Sequence, residues 1–304
     1  MKKRLLIIYL LLLTTVLVAC MGIYLKQEVL KPLHLYDDKN VIEIPFVTLK
    51  DPMVRYALRE RNKADMVIST EPETTELIPV ELPAPTELMV TEPRECTDPA
   101  PTEANFNEIT EEWFDDALFI GDSRTVGLRD YARLGKADYF CNVGMSVFGV
   151  LEARESDKNF KETDLVGLLR QKKYNKIYIS LGLNDSGAPF DLLMDAYHTL
   201  LRTVREEQPH AVVILQAMIT VDRKKANSEW YFAIDNLKMI DGAIRDFADG
   251  KQVLYIDANT HFADEEGYLP DGKAWDGCHF DIAGYQEWAQ WILDNAKTLN
   301  VSFG

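Results

Sequence analysis

A serine at the end of a short apolar run is the first residue of this chain that could do chemistry. Ser123 lies in Gly121-Asp122-Ser123, between the apolar run 117–120 and a helical pattern, so it occupies a tight turn from strand to helix. Backbone N–H groups at a helix N-terminus are free to stabilise negative charge. A serine placed there is a candidate nucleophile for acyl transfer. The plainer alternative is that Asp122 or Ser123 only caps the helix.

A histidine and an aspartate near the C-terminus have the spacing of a general base and the acid that orients it. A nucleophilic serine needs a base to take its proton and a group that fixes the imidazole tautomer. Asp276, three residues before His279, can accept the Nδ1 proton and leave Nε2 for Ser123. Among the other histidines the only rival is His261, which lacks an acid at the corresponding upstream position.

Two more polar positions follow predicted strands. Gly144 has no side chain, so its backbone N–H can approach a substrate closely. Asn184, within Gly182-Leu183-Asn184-Asp185, can direct its side-chain amide into the same crevice. Taken singly, Gly144 is also typical of a turn, and Asn184 of a helix cap or an Asx-turn.

The elements that must position these residues alternate between strand and helix. Helical apolar spacing is found in residues 191–206, 234–247 and 282–299. Five apolar runs have the length of buried strands: Ala117–Ile120, Ala137–Asn142, Lys176–Leu181, Ala211–Gln216 and Gln252–Ile256. The alternation predicts the α/β class, as a three-layer α/β/α sandwich with a five-stranded parallel sheet. Ligands of such sheets bind beyond the carboxyl ends of the strands.

Four segments of the chain, taken together, resemble the four conserved blocks of the SGNH hydrolases, also called the GDSL esterase and lipase family. In chain order they are Gly121-Asp122-Ser123, Gly144, Gly182-Leu183-Asn184-Asp185 and Asp276-x-x-His279. The resemblance covers roughly residues 114–303 and implies the flavodoxin-like sandwich of that family, here residues 111–304.

The resemblance also implies a role for each matching residue. Ser123 is the nucleophile, His279 the general base and Asp276 its orienting acid. The backbone N–H groups of Ser123 and Gly144 and the side chain of Asn184 form the oxyanion hole. Each such donor typically contributes about 3 kcal/mol of transition-state stabilisation. The mechanism requires neither a metal nor another cofactor.

Two residues depart from what many relatives carry, Arg124 after the serine and Cys278 before the histidine. We expect them to alter the shape of the acyl pocket. Cys278 and Cys141 form a disulfide or remain free buried thiols. The four cysteines show no zinc-type spacing, so no structural metal is expected.

The N-terminus has the pattern of a membrane segment. Lys2, Lys3 and Arg4 precede the uncharged run Leu5 to Leu25, and 21 helical residues at about 1.5 Å each can cross a hydrocarbon core roughly 30 Å thick. The positive flank predicts that everything after Lys26 lies outside the cytoplasm. Residues 1–25 are an uncleaved signal anchor or a lipoprotein signal cleaved before Cys20.

Residues 70–110 are predicted to be an extended, disordered linker. Between Thr70 and Glu103 there are seven Pro, seven Thr and eight Glu, and the net charge of −8 is half of the chain's −16. Prolines and repelling charges favour an extended spacer. In the membrane-proximal segment, residues 26–69, the stretch from Val41 to Tyr56 can form local structure.

The charge and the predicted location limit the function. With 33 Lys and Arg against 49 Asp and Glu, the chain offers no basic surface for nucleic acid. We expect an extracytoplasmic, membrane-tethered serine esterase acting on O-acyl groups, chiefly O-acetyl, of envelope glycans such as peptidoglycan, or on a small ester. An O-acetyltransferase, a lipase or lysophospholipase, and a non-catalytic glycan-binding module stay open. Trp230 and Tyr231 either stack on a sugar ring or pack on a helix.

Overall fold

The structure is a computed structural model and describes residues 2–24, 26–27, 44–45, 51–59, 110–297 and 299. The predicted linker, apart from its last residue, lies outside the described residues, as does most of the membrane-proximal segment. The prediction of an extended, disordered spacer therefore stays a prediction.

The described part of the chain before the α/β domain includes two longer helices. Helix α1 spans Lys2–Tyr24, and helix α2 spans residues 52–59. Side chains of α1 are described from residue 13 onward. Within the part of the chain whose side chains are described, no helix has both the length and the apolar character needed to span a membrane.

Five parallel strands form the central sheet, in the spatial order β2-β1-β5-β6-β7. They are β1 (Ala117–Gly121), β2 (Asp138–Cys141), β5 (Lys176–Ser180), β6 (Val212–Gln216) and β7 (Val253–Ile256). Each predicted strand is found within two residues of its predicted bounds. The α/β class and the five-stranded parallel sheet are therefore confirmed.

Helices cover both faces of the sheet and bury one apolar cluster on each. They are α3 (Ser123–Tyr131), α4 (Leu165–Gln171), α5 (Phe190–Glu207), α6 (Arg223–Ala226), α7 (Ile234–Arg245), α8 (Asn259–Phe262) and α9 (Ile282–Ala296). Residues of α4, α5 and α7 pack in one cluster, and residues of α3 and α9 pack in the other. All five residues of β1 are buried, as expected for a strand covered on both faces.

A two-stranded hairpin that the sequence did not predict follows the second strand. Strand β3 (Arg154–Asp157) pairs antiparallel with β4 (Phe160–Asp164). Six of the nine residues in its two strands are charged, so the apolar alternation that indicates a strand is missing.

The position of β1 in the sheet determines where a ligand can bind. The chain passes from β1 to β2 on one side and then returns to place β5 on the other side of β1. Such a reversal opens a crevice at the carboxyl ends of the strands. Ser123, two residues beyond the end of β1, lies at this crevice.

Candidate active site

The turn between β1 and α3 presents Ser123 at the first position of the helix. Asp122 is the N-cap residue, and its Oδ1 accepts the backbone N–H of Arg124 at 2.9 Å. A Cβ at position 121 would lie 1.9 Å from Oγ1 of Thr125 and 2.9 Å from the carbonyl oxygen of Ser180, so only glycine fits this close packing. The half-buried Ser123 side chain therefore leaves the sheet beside the free N–H groups of the helix N-terminus.

Ser123, His279 and Asp276 form a continuous chain of hydrogen bonds. Oγ of Ser123 lies 2.7 Å from Nε2 of His279, and Nδ1 of His279 lies 2.8 Å from Oδ2 of Asp276. A carboxylate only accepts, so Nδ1 donates to Asp276 and Nε2 is left to accept from the serine hydroxyl. The structure thus brings together the three residues predicted to act as nucleophile, base and orienting acid.

Asp276 is itself held by the turn it belongs to. Its Oδ1 accepts the backbone N–H groups of Cys278 at 3.0 Å and His279 at 2.8 Å. Partial burial opposes ionisation, but the hydrogen bonds from the His279 side chain and from these two N–H groups outweigh it and lower the pKa of Asp276. The carboxylate therefore stays charged at neutral pH and keeps the imidazole in one tautomer.

Two of the three predicted oxyanion donors, Gly144 and Asn184, lie on loops that are hydrogen-bonded to each other. Nδ2 of Asn184 donates to the carbonyl oxygen of Met145 at 3.0 Å, and the backbone N–H of Val147 donates to Oδ2 of Asp185 at 2.9 Å. An amide nitrogen carries two hydrogens, so one N–H of Asn184 remains for a substrate oxygen. These bonds fix Asn184 beside the loop that carries Gly144.

Gly144 adopts a backbone conformation that other residues avoid. Its φ is +74°, in the left-handed region, and no atom lies within 4 Å of the position a Cβ would take. Glycine is therefore required by the backbone geometry, while the space beside it stays open for a ligand.

Two carboxyls next to the site residues, those of Asp185 and Asp122, are buried. Burial raises the pKa of Asp185 to about 7 despite the N–H of Val147 that it accepts. Burial also raises the pKa of Asp122, against the opposing effect of the neighbouring Arg124 cation. The sequence predicted neither raised pKa, because burial depends on the packing of distant segments.

Arg124 and Cys278, expected to shape the acyl pocket, instead contact each other beneath the site. Both are buried, and Nη2 of Arg124 lies 3.3 Å from Sγ of Cys278. Nε of Arg124 donates to the carbonyl oxygen of Cys278 at 3.1 Å, and Nη1 donates to that of Ile219. Arg124 therefore ties the serine turn to the histidine loop. Cys141 and Cys278 are free thiols.

The rival histidine lies elsewhere. Nε2 of His261 is 2.9 Å from Oε1 of Glu287 in an exposed pair on the surface. Among the described residues, no three His, Cys, Asp or Glu side chains are grouped closely enough to hold a metal ion.

An open cavity of about 800 Å³ adjoins the oxyanion loops. Gly144 and Asn184 line it, together with Tyr231 and Phe232 from the insertion after β6. Trp230, the neighbour of Tyr231, is 65% exposed, so it does not pack as a core residue.

An exposed aromatic residue that the sequence reasoning passed over flanks the histidine. Trp275 is 77% exposed, and its ring stacks near that of His279 with a centroid distance of 6.1 Å and an interplanar angle of 24°. Its position directly before Asp276 in the sequence could have indicated that it lies near the site. It offers an exposed aromatic surface beside the imidazole.

Comparison with known proteins points to one family. Residues 119–287 match the model of the GDSL-like lipase/acylhydrolase family. Three similar solved structures are a GDSL-like lipase from Bacteroides thetaiotaomicron, a carbohydrate esterase family 3 protein from Talaromyces cellulolyticus and a carbohydrate acetylesterase family member from Sinorhizobium meliloti. Their identities to this chain are 14%, 15% and 13%, with TM-scores of 0.45, 0.43 and 0.39. The matches cover 61%, 60% and 60% of this chain and 90%, 96% and 98% of the others. No curated protein is significantly similar in sequence.

Proposed function

This chain belongs to the GDSL-like lipase/acylhydrolase family and is an ester hydrolase, and on that premise we propose that Ser123, His279 and Asp276 are its catalytic triad. The observation that carries the proposal is the unbroken set of hydrogen bonds from Oγ of Ser123 through His279 to Asp276. An isolated helix cap would not need the imidazole within 2.7 Å of the serine.

In the proposed mechanism, Oγ of Ser123 attacks the carbonyl carbon of an ester while Nε2 of His279 takes the hydroxyl proton. The developing oxyanion accepts hydrogen bonds from the backbone N–H groups of Ser123 and Gly144 and from the free N–H of Asn184. His279 then returns the proton to the leaving alcohol, and an acyl group remains on Ser123. Water, activated by the same imidazole, releases the acid.

The proposed substrate is an O-acylated, chiefly O-acetylated, glycan of the cell envelope. Its support is the sequence, in which Lys2 to Arg4 and the apolar run to Leu25 favour tethering to the outer face of the cytoplasmic membrane. The exposed ring of Trp275 beside His279 suits a sugar as the leaving alcohol.

A lipase or lysophospholipase is the second candidate. The cavity of about 800 Å³ beside Gly144 and Asn184 favours it, because an acetyl group would leave most of that space unfilled.

The test is acetate release from O-acetylated wall glycan by the full-length protein. We expect release by the wild type and by Ser228→Ala, a matched serine variant on an exposed turn, and none by Ser123→Ala. Chemically de-acetylated glycan is the substrate control. Equal release by Ser123→Ala and wild type would contradict the proposed nucleophile, and release from short lipid esters but not from the glycan would favour the lipase.

A further inference from the structure

Helix α2, residues 52–59, lies outside the region that matches the family, yet it packs on the active-site loops. The ring of Tyr56 meets that of Phe148 edge-on with a centroid distance of 5.5 Å. Cβ of Pro52 lies 3.1 Å from the position that a Cβ would take on Gly149. Both contacts are with the segment that follows Gly144, one of the proposed oxyanion donors.

Polar contacts join α2 to two other parts of the domain. The hydroxyl of Tyr56 lies 3.1 Å from Oγ1 of Thr199 on α5. Nε of Arg55 lies 3.4 Å from Oε2 of Glu152, and Arg59 pairs with the same carboxylate. Val54 is fully buried and Tyr56 is 6% exposed, so α2 buries one face against the domain.

The N-terminal end of α2 faces the open cavity. Asp51, Pro52 and Met53 line it together with Gly144 and Asn184. The side chain of Met53 also packs against the apolar cluster beneath, and Phe148 and Phe232 add apolar surface to the same cavity. The first turn of α2 is therefore one wall of the space next to the proposed oxyanion hole.

The part of the substrate that enters this space follows from the chemistry. His279 must protonate the leaving alcohol, so the alcohol lies on the side of His279 and Trp275. The cavity lies on the side of Gly144 and Asn184, and neither Ser123 nor His279 lines it. The acyl carbonyl stays on Ser123 beside His279, but the hydrocarbon tail takes part in no proton transfer and can extend past Gly144 and Asn184 into the cavity, whose apolar side chains fit such a chain.

We infer that α2 is part of the substrate-binding site and that Met53 is a specificity-determining residue that contacts the acyl group, so that the enzyme accepts acyl chains longer than acetyl. This inference rests on the proposed function and extends it. Because the cavity is open and has a volume of about 800 Å³, Met53 supplies contact area for the chain rather than a barrier to it.

The test compares kcat/KM for p-nitrophenyl hexanoate and p-nitrophenyl acetate, which share one leaving group, on the full-length protein. We expect the hexanoate-to-acetate ratio to fall about fivefold in both Met53→Ala and Met53→Gln, through the loss of roughly one kcal/mol of apolar contact. Tyr56→Ala, which loosens the docking of α2 from outside the cavity, is expected to lower the ratio in the same direction. Met239→Ala, at an exposed methionine on α7, is the matched control and should keep the wild-type ratio.

Different results would contradict the role of Met53 and the proposed triad. An unchanged ratio in both Met53 variants overturns the role of Met53, and so does an enzyme that hydrolyses the acetate but not the hexanoate. Equal turnover of both esters by Ser123→Ala and wild type would instead overturn the proposed triad.

Discussion

The Asp276 carboxylate connects the imidazole to its own backbone turn, which makes it a position where geometry and protonation can be tested separately. It accepts one hydrogen bond from the ring of His279 and two from backbone N–H groups. Removing its charge while keeping its shape alters the tautomer of His279 more than the fold.

We predict that Asp276→Asn lowers kcat by roughly 10²- to 10⁴-fold while KM changes little, because the amide can donate to Nδ1 and turn Nε2 into a donor. Steady-state kinetics with a small acetyl ester measures this. A variant within threefold of the wild type would mean that Asp276 does not set the tautomer. Asp164→Asn, at the N-cap of α4, is a control of the same chemistry away from the triad.

Asp185 has a pKa raised by burial to about 7, and this gives stability a pH dependence of known sign. Folding favours its protonated form, so its contribution is fully present below the unfolded pKa of about 3.9 and is lost as pH rises through about 7. Asp276, whose pKa is lowered, acts in the opposite sense and only at acid pH.

We predict that Asp185→Asn gains stability relative to the wild type by roughly 2 to 3 kcal/mol between pH 5 and pH 8. Asn keeps an oxygen that can accept the N–H of Val147, so the main change is the lost charge. Urea unfolding of both proteins at several pH values gives the difference. A difference that is constant with pH would show that Asp185 does not titrate in this range.

At the scale of elements, Arg124 joins α3 to the loops that follow β6 and precede α9. Its guanidinium is buried and donates to the carbonyl oxygens of Ile219 and Cys278. Removing it leaves those carbonyls unpaired, which typically costs about 1 to 3 kcal/mol for each group.

We predict that Arg124→Gln destabilises the protein by roughly 3 kcal/mol or more and lowers kcat, since Cys278 adjoins His279. Arg129→Gln, on the same helix, removes a pair with the exposed Asp130 and a long contact with Sγ of Cys141 at 3.8 Å, and should cost less than about 1 kcal/mol. Thermal unfolding compares the two. Equal losses in both variants would contradict the role assigned to Arg124.

The sequence predicted the elements whose own residues show a recognisable apolar pattern. All five strands of the sheet were foreseen, because strands covered on both faces are continuous apolar runs. The hairpin of β3 and β4 was missed, since its residues are mainly polar. For α2, only a propensity for local structure was foreseen. Its place in the cavity depends on contacts such as that of Tyr56 with Phe148, which are far apart in the chain.

The sequence also predicted the candidate site unevenly. Short motifs indicated Ser123, Gly144, Asn184, Asp276 and His279, because their chemistry depends on residue type and on the ends of strands. The buried contacts of Arg124 and the raised pKa of Asp185 have no local signature, because they arise from segments that meet only in the folded chain.

At the scale of the whole molecule, the proposed organisation is an anchor, a charged spacer and one catalytic domain. Half of the net charge of −16 falls between Thr70 and Glu103. That distribution would keep the spacer extended and hold the domain away from the membrane.

We predict that the full chain sediments with membranes and resists extraction by high salt, and that deletion of residues 5–25 releases it. Fractionation followed by immunoblotting measures both. Cys20→Ala separates the two anchor types, because it leaves a signal anchor in place and prevents lipidation. Release of the unaltered chain by salt alone would contradict anchoring by the apolar run.

Covalent labelling by a serine-directed probe measures whether Ser123 is an activated nucleophile. The full-length protein is treated with a fluorophosphonate, digested and analysed by mass spectrometry. We expect one phosphonyl adduct, on the peptide that contains Ser123, which is absent in Ser123→Ala and strongly reduced in His279→Ala. An unlabelled Ser123 in protein that still hydrolyses esters, or equal labelling in His279→Ala, would contradict this role of Ser123.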